Sequence, residues 1–216
     1  MHGRAKNCYD RAVSRDLYRL ILDQAGRAED CFKALEAFVL DPSAGSAGRF
    51  REAYIEAQAC SLDVDEALSP DGSDAEERAA DSEEAFRFAR AIDDMTYGAK
   101  SVVEEMLRFG VVSDRFLREM SRVAREGCTE TVAALKHLRS RSRSSGECVV
   151  RAKKAYRQLV RLYRQATTNV LDHPNVVEVL KTKEIYRHFY AAADRGDAAA
   201  EAIGNSLVKA LILDRS

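Results

Sequence analysis

The stretch Lys183–Leu213, KEIYRHFYAAADRGDAAAEAIGNSLVKALIL, decides the fold. Tyr186, Phe189, Ala193, Ala200, Ile203, Leu207 and Leu211 recur at spacings of three, four or seven, which draws an apolar stripe along one α-helix. Asp194, Asp197 and Glu201 stand three and four apart beside that stripe and so stack on one helix face. Ala and Gly crowd the same turns, which lets a neighbouring helix approach closely. The stretch poses a question: an acidic edge in water, or half of a metal site inside a helical bundle.

Upstream, the same period recurs. Leu17, Leu20, Ile21, Ala28, Cys31, Phe32, Leu35 and Phe38 predict a first helix from about Ser14 to Leu40, ended by Asp41-Pro42. Residues 1–13 are then a tail. Ser43–Gly48 (SAGSAG) reads as a loop before a second helix from about Arg49 to Leu68. Ser69–Asp81 is acidic and turn-rich and reads as the main linker. Phe86, Ala89, Ile92, Ala99, Val103 and Leu107 carry a third helix, from about Ser82 to Phe109, with Gly110 suited to its C-terminal cap. Ser113-Asp114 opens a fourth helix to about Arg139. Ser140–Gly146 is a second loop, Glu147–Val170 a fifth helix, and Asp172-His173-Pro174 a turn into the sixth.

The second half repeats the first at an offset near 100 residues: Leu17 matches Leu117, Leu35 matches Leu135, and Glu84–Arg87 matches Glu184–Arg187. The expectation is an all-α protein of six long helices, built as two repeated three-helix bundles over residues 14–110 and 111–216.

Composition agrees with a helical, globular chain. Of 216 residues, 46% are hydrophobic and 32% charged, with three Pro; Lys+Arg 34 against Asp+Glu 35 leaves a net charge of −1. That balance argues against general nucleic-acid binding. No apolar run approaches the roughly 20 residues that span a bilayer. MHGRAKNCYDRAVSRD is charged throughout and does not read as a signal peptide, so a cytoplasmic protein is expected. Five scattered cysteines with no CxxC indicate neither a zinc site nor a disulfide framework, and Cys31, Cys60 and Cys128 are expected to fill core positions. His137, His173 and His188 share no spacing with one another, and a zinc pair at i, i+4 or a Cys/His cluster is not read from them. No Ser-His-Asp, GxSxG, P-loop or GxGxxG pattern is present, so no enzyme activity is expected.

Glu184–Lys209, EIYRHFYAAADRGDAAAEAIGNSLVK, resembles the last helix of the PhoU-like proteins, in the branch described as phosphate transport regulators. There a D-I-Y…A-D-R-x-E-D-x-A-D run occupies the same place. Arg161–Ala166 (RLYRQA), Val176–Tyr186 and Ala91–Asp94 (AIDD) add to the likeness, which spans the chain and is strongest from Arg161 onward. The resemblance implies two copies of a three-helix unit, a non-enzymatic role linked to phosphate transport, and E/D-x-x-x-D motifs that hold iron or other cations. This chain departs from those motifs. They read Ala59-x-x-x-Asp63, Asp93-x-x-x-Tyr97, Tyr156-x-x-x-Val160 and Asp194-x-x-x-Ala198, with Asp197-x-x-x-Glu201 keeping an acidic pair.

Asp63, Asp93, Asp194, Asp197 and Glu201 are therefore the candidate metal ligands, and any divalent or iron cation is expected near Asp93, Asp194 and Asp197, with none tightly bound. The plainer reading is a solvated acidic edge. Tyr97 and Tyr156 are expected to fill the space a metal would take. Arg139, Arg141, Arg143, Arg151, Lys153, Lys154, Arg157, Arg161 and Arg164 form a basic tract, with Arg141, Arg143 and Lys154 as candidate contacts for an acidic protein partner such as a transporter subunit. Peripheral membrane association and homo-oligomerisation stay open, as do a carboxylate-based metal-binding bundle and a helical adaptor without metal chemistry.

Overall fold

A computed structural model describes the backbone over residues 2–68, 79–138 and 143–213, and side chains over 17–68, 83, 85–138 and 143–209. The described residues form six helices and no strand: α1 (His2–Leu40), α2 (Ala44–Leu68), α3 (Ala79–Phe109), α4 (Arg115–Leu138), α5 (Arg143–Val170) and α6 (Val176–Leu213). No described helix is long and apolar enough to cross a membrane.

Local chemistry sets the helix ends. Ser43 caps α2: its Oγ accepts the Ser46 N–H at 3.2 Å, while Ser46 Oγ accepts the Ser43 N–H at 3.0 Å. This is a capping box with serine in the place usually held by Glu or Gln. The SAGSAG stretch is thus the cap and first turn of α2 rather than a loop. Asp114 caps α4 by accepting the Leu117 N–H at 2.7 Å, and Asn175 caps α6 by accepting the Val177 N–H at 3.0 Å. Gly110, at φ 64°, closes α3, with the Val111 N–H donating to the Met106 carbonyl at 3.1 Å. That is the six-to-one bond of a Schellman cap, and Val111 and Met106 are both buried beside it. α1 begins at His2, well before the expected Ser14, because nothing in the first residues breaks a helix: no proline stands before Pro42. The expected linker falls mostly on residues 69–78, and the start of the second loop on 139–142, outside the described residues.

α1, α3, α6 and α4 pack in a ring, each against the next, and the ring closes between α4 and α1. α2 lies against α1 and α3, and α5 against α4 and α6. Side chains from all six helices join one contiguous core. α3 and α6 reach across this core because both are apolar on more than one side. On α3 the buried stripe is Ala85, Ala89, Ile92, Thr96, Ala99 and Val103, flanked by buried Phe88, Met95 and Val102. On α6 it is Ile185, Phe189, Ala192, Gly196, Ala199 and Ile203, flanked by buried Tyr186, Ala193, Ala200 and Leu207. The two helices approach closely at Gly98, where a Cβ would stand 3.0 Å from Ala192 Cβ. Phe86, expected in the core, is 48% exposed, and Leu107 is 49% exposed; Phe88 takes the buried place instead.

Candidate functional site

The five candidate carboxylates do not converge. Asp63 is exposed on α2. Asp93, on α3, faces α2 and accepts hydrogen bonds from Gln58 Nε2 at 2.8 Å and Ser61 Oγ at 2.9 Å. Gln24 Nε2 extends this network from α1, donating to Ser61 Oγ at 2.9 Å and to the Ala89 carbonyl at 3.1 Å. Asp93 is thus satisfied by neutral donors, as buried polar groups generally are. Asp194 is exposed, and Glu201 is exposed and pairs with Lys153 at 3.2 Å. Asp197 is half-buried, with a sealed Oδ1 that finds no hydrogen-bond partner. Asp63 and Asp93 stand on α2 and α3, and the three α6 carboxylates, though on one face, meet different neighbours.

Tyr156 fills space as expected; Tyr97 does not, being 59% exposed. The Tyr156 ring sits in a slot between α4 and α6 made by two glycines. A Cβ on Gly127 would stand 2.6 Å from the ring, and one on Gly196 would stand 2.2 Å from it. The hydroxyl pairs with Thr131 Oγ1 at 3.0 Å. Burial pushes the Tyr156 phenol well above its usual range. It also pushes the Cys31 thiol up to about 12 and raises Cys128 and, less deeply buried, Cys60 and Cys148. A thiol so held is a poor nucleophile. Cys31 and Cys128 fill the core, whereas Cys60 is only half-buried.

One ligand cluster does form, and it lies elsewhere. Glu105 on α3 and Glu184 and His188 on α6 bring one ligand atom each within 4.8 Å of one another. Among the described residues this is the one group of three or more His, Cys, Asp or Glu ligands so placed. His188 Nε2 stands 3.0 Å from Glu105 Oε2 and 3.9 Å from a Glu184 oxygen. The His188 and Glu105 side chains are 14% and 19% exposed, and the two facing atoms are sealed from solvent. Despite the short separation neither makes a hydrogen bond, so the ring N–H is not aimed along the contact. Arg187 donates to both Glu184 oxygens from Nε at 3.0 Å and holds that carboxyl below the usual carboxylate range, chiefly by this hydrogen bonding. A groove between α3 and α6 runs past the cluster and carries Arg108, Arg187 and Arg195. Glu184 and His188 are four apart on one helix, a signal present in the sequence but hidden when only His–His and Cys–His pairs are sought; Glu105 has no such signal, because only the packing of α3 on α6 delivers it.

The basic tract divides. Arg143 pairs with Glu147 at 3.3 Å, Arg151 with Glu130 at 2.8 Å and Lys153 with Glu201. Arg139 and Arg141 lie outside the described residues. Lys154, Arg157, Arg161 and Arg164 are exposed, spaced three, four and three, and make no ion pair with a described residue. They form a row along the outer face of α5. No protein-family model matches the chain, and no curated protein sequence matches it.

Proposed function

We propose that this is a non-enzymatic accessory protein that works through an electrostatic contact made by α5 with an acidic protein. The observation that carries this reading is the row Lys154, Arg157, Arg161 and Arg164. Like charges at i, i+3 and i, i+4 repel, costing an isolated helix about 0.2–0.5 kcal/mol per pair. No ion pair among the described residues offsets that cost, whereas Arg143, Arg151 and Lys153 are each paired. An acidic partner would, and long-range attraction would speed its arrival.

A recurrence of buried positions between the two halves of the chain supports the reading. At an offset of 100 residues, the buried positions 21, 24, 28, 31, 32 and 35 of α1 recur as buried positions 121, 124, 128, 131, 132 and 135 of α4. The α3 stripe recurs in α6 at the same offset, and Ser46, Phe50 and Ala57 of α2 recur in α5 one residue earlier, as Ser145, Val149 and Tyr156. The inner faces are kept while the outer ones differ: at that shift Ile55, Gln58, Leu62 and Asp65 stand where α5 carries its four cations. The link to phosphate transport, and a membrane transporter's cytoplasmic subunit as partner, rest on the PhoU-like character of Glu184–Lys209.

The test is a pull-down from cells that make the protein, with wild type compared with a variant carrying Lys154→Glu, Arg157→Glu, Arg161→Glu and Arg164→Glu. The variant should keep its helicity and melting temperature and lose the wild-type partners, and added salt should weaken the wild-type contact. Recovery of the same partners in the same amounts at low salt would remove the proposal.

A further inference from the structure

We propose that Glu105, Glu184 and His188 form a binding site for a divalent transition-metal ion that ties α3 to α6. The site is independent of the α5 contact and of the carboxylate motifs on which a metal would have been sought. Its donor set is one imidazole nitrogen and two carboxylate groups. Imidazole suits Zn²⁺, Co²⁺ and Fe²⁺, and carboxylates complete their shells, whereas Mg²⁺ prefers oxygen and water alone.

The distances fit after a small adjustment. Bonds of about 2.0–2.1 Å in a tetrahedral shell place neighbouring ligand atoms roughly 3.3 Å apart. His188 Nε2 stands 3.0 Å and 3.9 Å from the two carboxylates. Those values bracket the required one, and the third distance, between the two carboxylates, lies within 4.8 Å and has to shorten as the ion binds. The second observation is that His188 Nε2 and Glu105 Oε2 face each other at 3.0 Å, both sealed from solvent and neither in a hydrogen bond. Two sealed polar atoms facing each other without a hydrogen bond are costly, and an ion between them would satisfy both. Glu184, more exposed at 38%, would close the site from the solvent side. It must first be released from Arg187, whose guanidinium competes with the metal for the same carboxylate. Three protein ligands leave a fourth position open for water on the groove side.

Titration of the full chain at pH 7.5 with Co²⁺, followed by its visible absorption, and with Zn²⁺, followed by calorimetry, tests this directly. Wild type should bind one ion per chain, melt at a higher temperature with Zn²⁺, and show no shift with the same concentration of Mg²⁺. His188→Gln and Glu105→Gln should each weaken binding by at least about tenfold. Arg187→Gln should tighten it by freeing Glu184, a change that a merely structural ion pair would not produce. Circular dichroism shows whether each variant folds. If folded wild type takes up no Co²⁺ or Zn²⁺, if His188→Gln binds as well as wild type, or if Mg²⁺ shifts the melt equally, the site is wrong.

Discussion

The hearts of the two helix triplets are built in opposite ways. Where α1, α2 and α3 meet, Gln24, Ser61, Asp93 and Gln58 join in a hydrogen-bonded network. Where α4, α5 and α6 meet, one aromatic ring, Tyr156, lies between Gly127 and Gly196 with its hydroxyl on Thr131. Ala57 of α2, 99 residues before Tyr156, is also buried. The large ring is accommodated because two glycines remove the side chains that would meet it; with Ala57, α2 has no such ring to seat. Similar helix packing can thus be completed by one bulky, geometrically exacting side chain or by several small polar ones. The first concentrates its stabilisation in a single residue, and the second spreads it.

The sharpest way to break this contrast is Tyr156→Ala. Removal of a fully buried ring leaves a cavity and should cost about 3–5 kcal/mol, measured by urea unfolding. Gly196→Ala should cost about 1–3 kcal/mol, because its Cβ would meet ring atoms rather than the end of a flexible chain. In a double-mutant cycle Tyr156→Ala should absorb most of the Gly196→Ala penalty. Additive costs would show that the glycine serves another purpose than seating the ring.

A somewhat smaller effect separates the regions by pH. Burial raises Cys31, Tyr54 and Cys60 in the first triplet, and Cys128, Cys148, Tyr156 and Tyr186 in the second. Each folded-state value lies above the unfolded one, so the stability these groups contribute is complete below the unfolded pKa and is lost as pH rises toward the folded one. For Cys31 the window runs from about 8.5, the free-thiol value, upward, to about 12, where burial pushes it. Within such a window each group removes about 1.4 kcal/mol per pH unit. Urea midpoints should therefore fall between pH 8 and pH 10.5. Cys31→Ala should flatten the decline from its onset, and Tyr156→Phe only above about pH 10, the free-phenol value. An unchanged slope in both variants would mean that other groups govern alkaline unfolding.

Periodicity in the sequence located the helices and most inner faces, including Tyr186, Phe189, Ile203 and the Phe32–Leu35 side of α1. It misplaced Phe86 because α3 offers two apolar flanks to one stripe. Apolar identity does not say which flank the partner helix covers, and the packing chose Phe88 and Met95. Gly and Ser read as a loop at 43–48 because the same residues serve loops and helix starts; the reciprocal bonds of Ser43 and Ser46 decide for the helix. The Glu105, Glu184 and His188 cluster was half visible, as a carboxylate and an imidazole four apart. Its third member joins from another helix, which no local pattern reports. The glycine slot around Tyr156 was invisible for the same reason, since Gly127 and Gly196 meet the ring from different helices.

The smallest expected change lies in the polar network, and it tests whether that network is spread as its geometry suggests. Gln24 is 2% exposed, and its amide nitrogen donates to Ser61 and to the Ala89 carbonyl. Its Oε1 is sealed and makes no hydrogen bond. Gln24→Leu removes two hydrogen bonds, each worth about 0.5–1.5 kcal/mol net, and with them an orphaned acceptor whose burial costs about 1–3 kcal/mol. Ser61 keeps its donation to Asp93, and the Ala89 carbonyl lies inside a helix. The opposing effects nearly cancel, so the change in unfolding free energy should stay within about 1 kcal/mol in either direction. A loss comparable to that of Tyr156→Ala would show that Gln24 and its partners act as one unit. The contrast between a concentrated and a distributed centre would then fail.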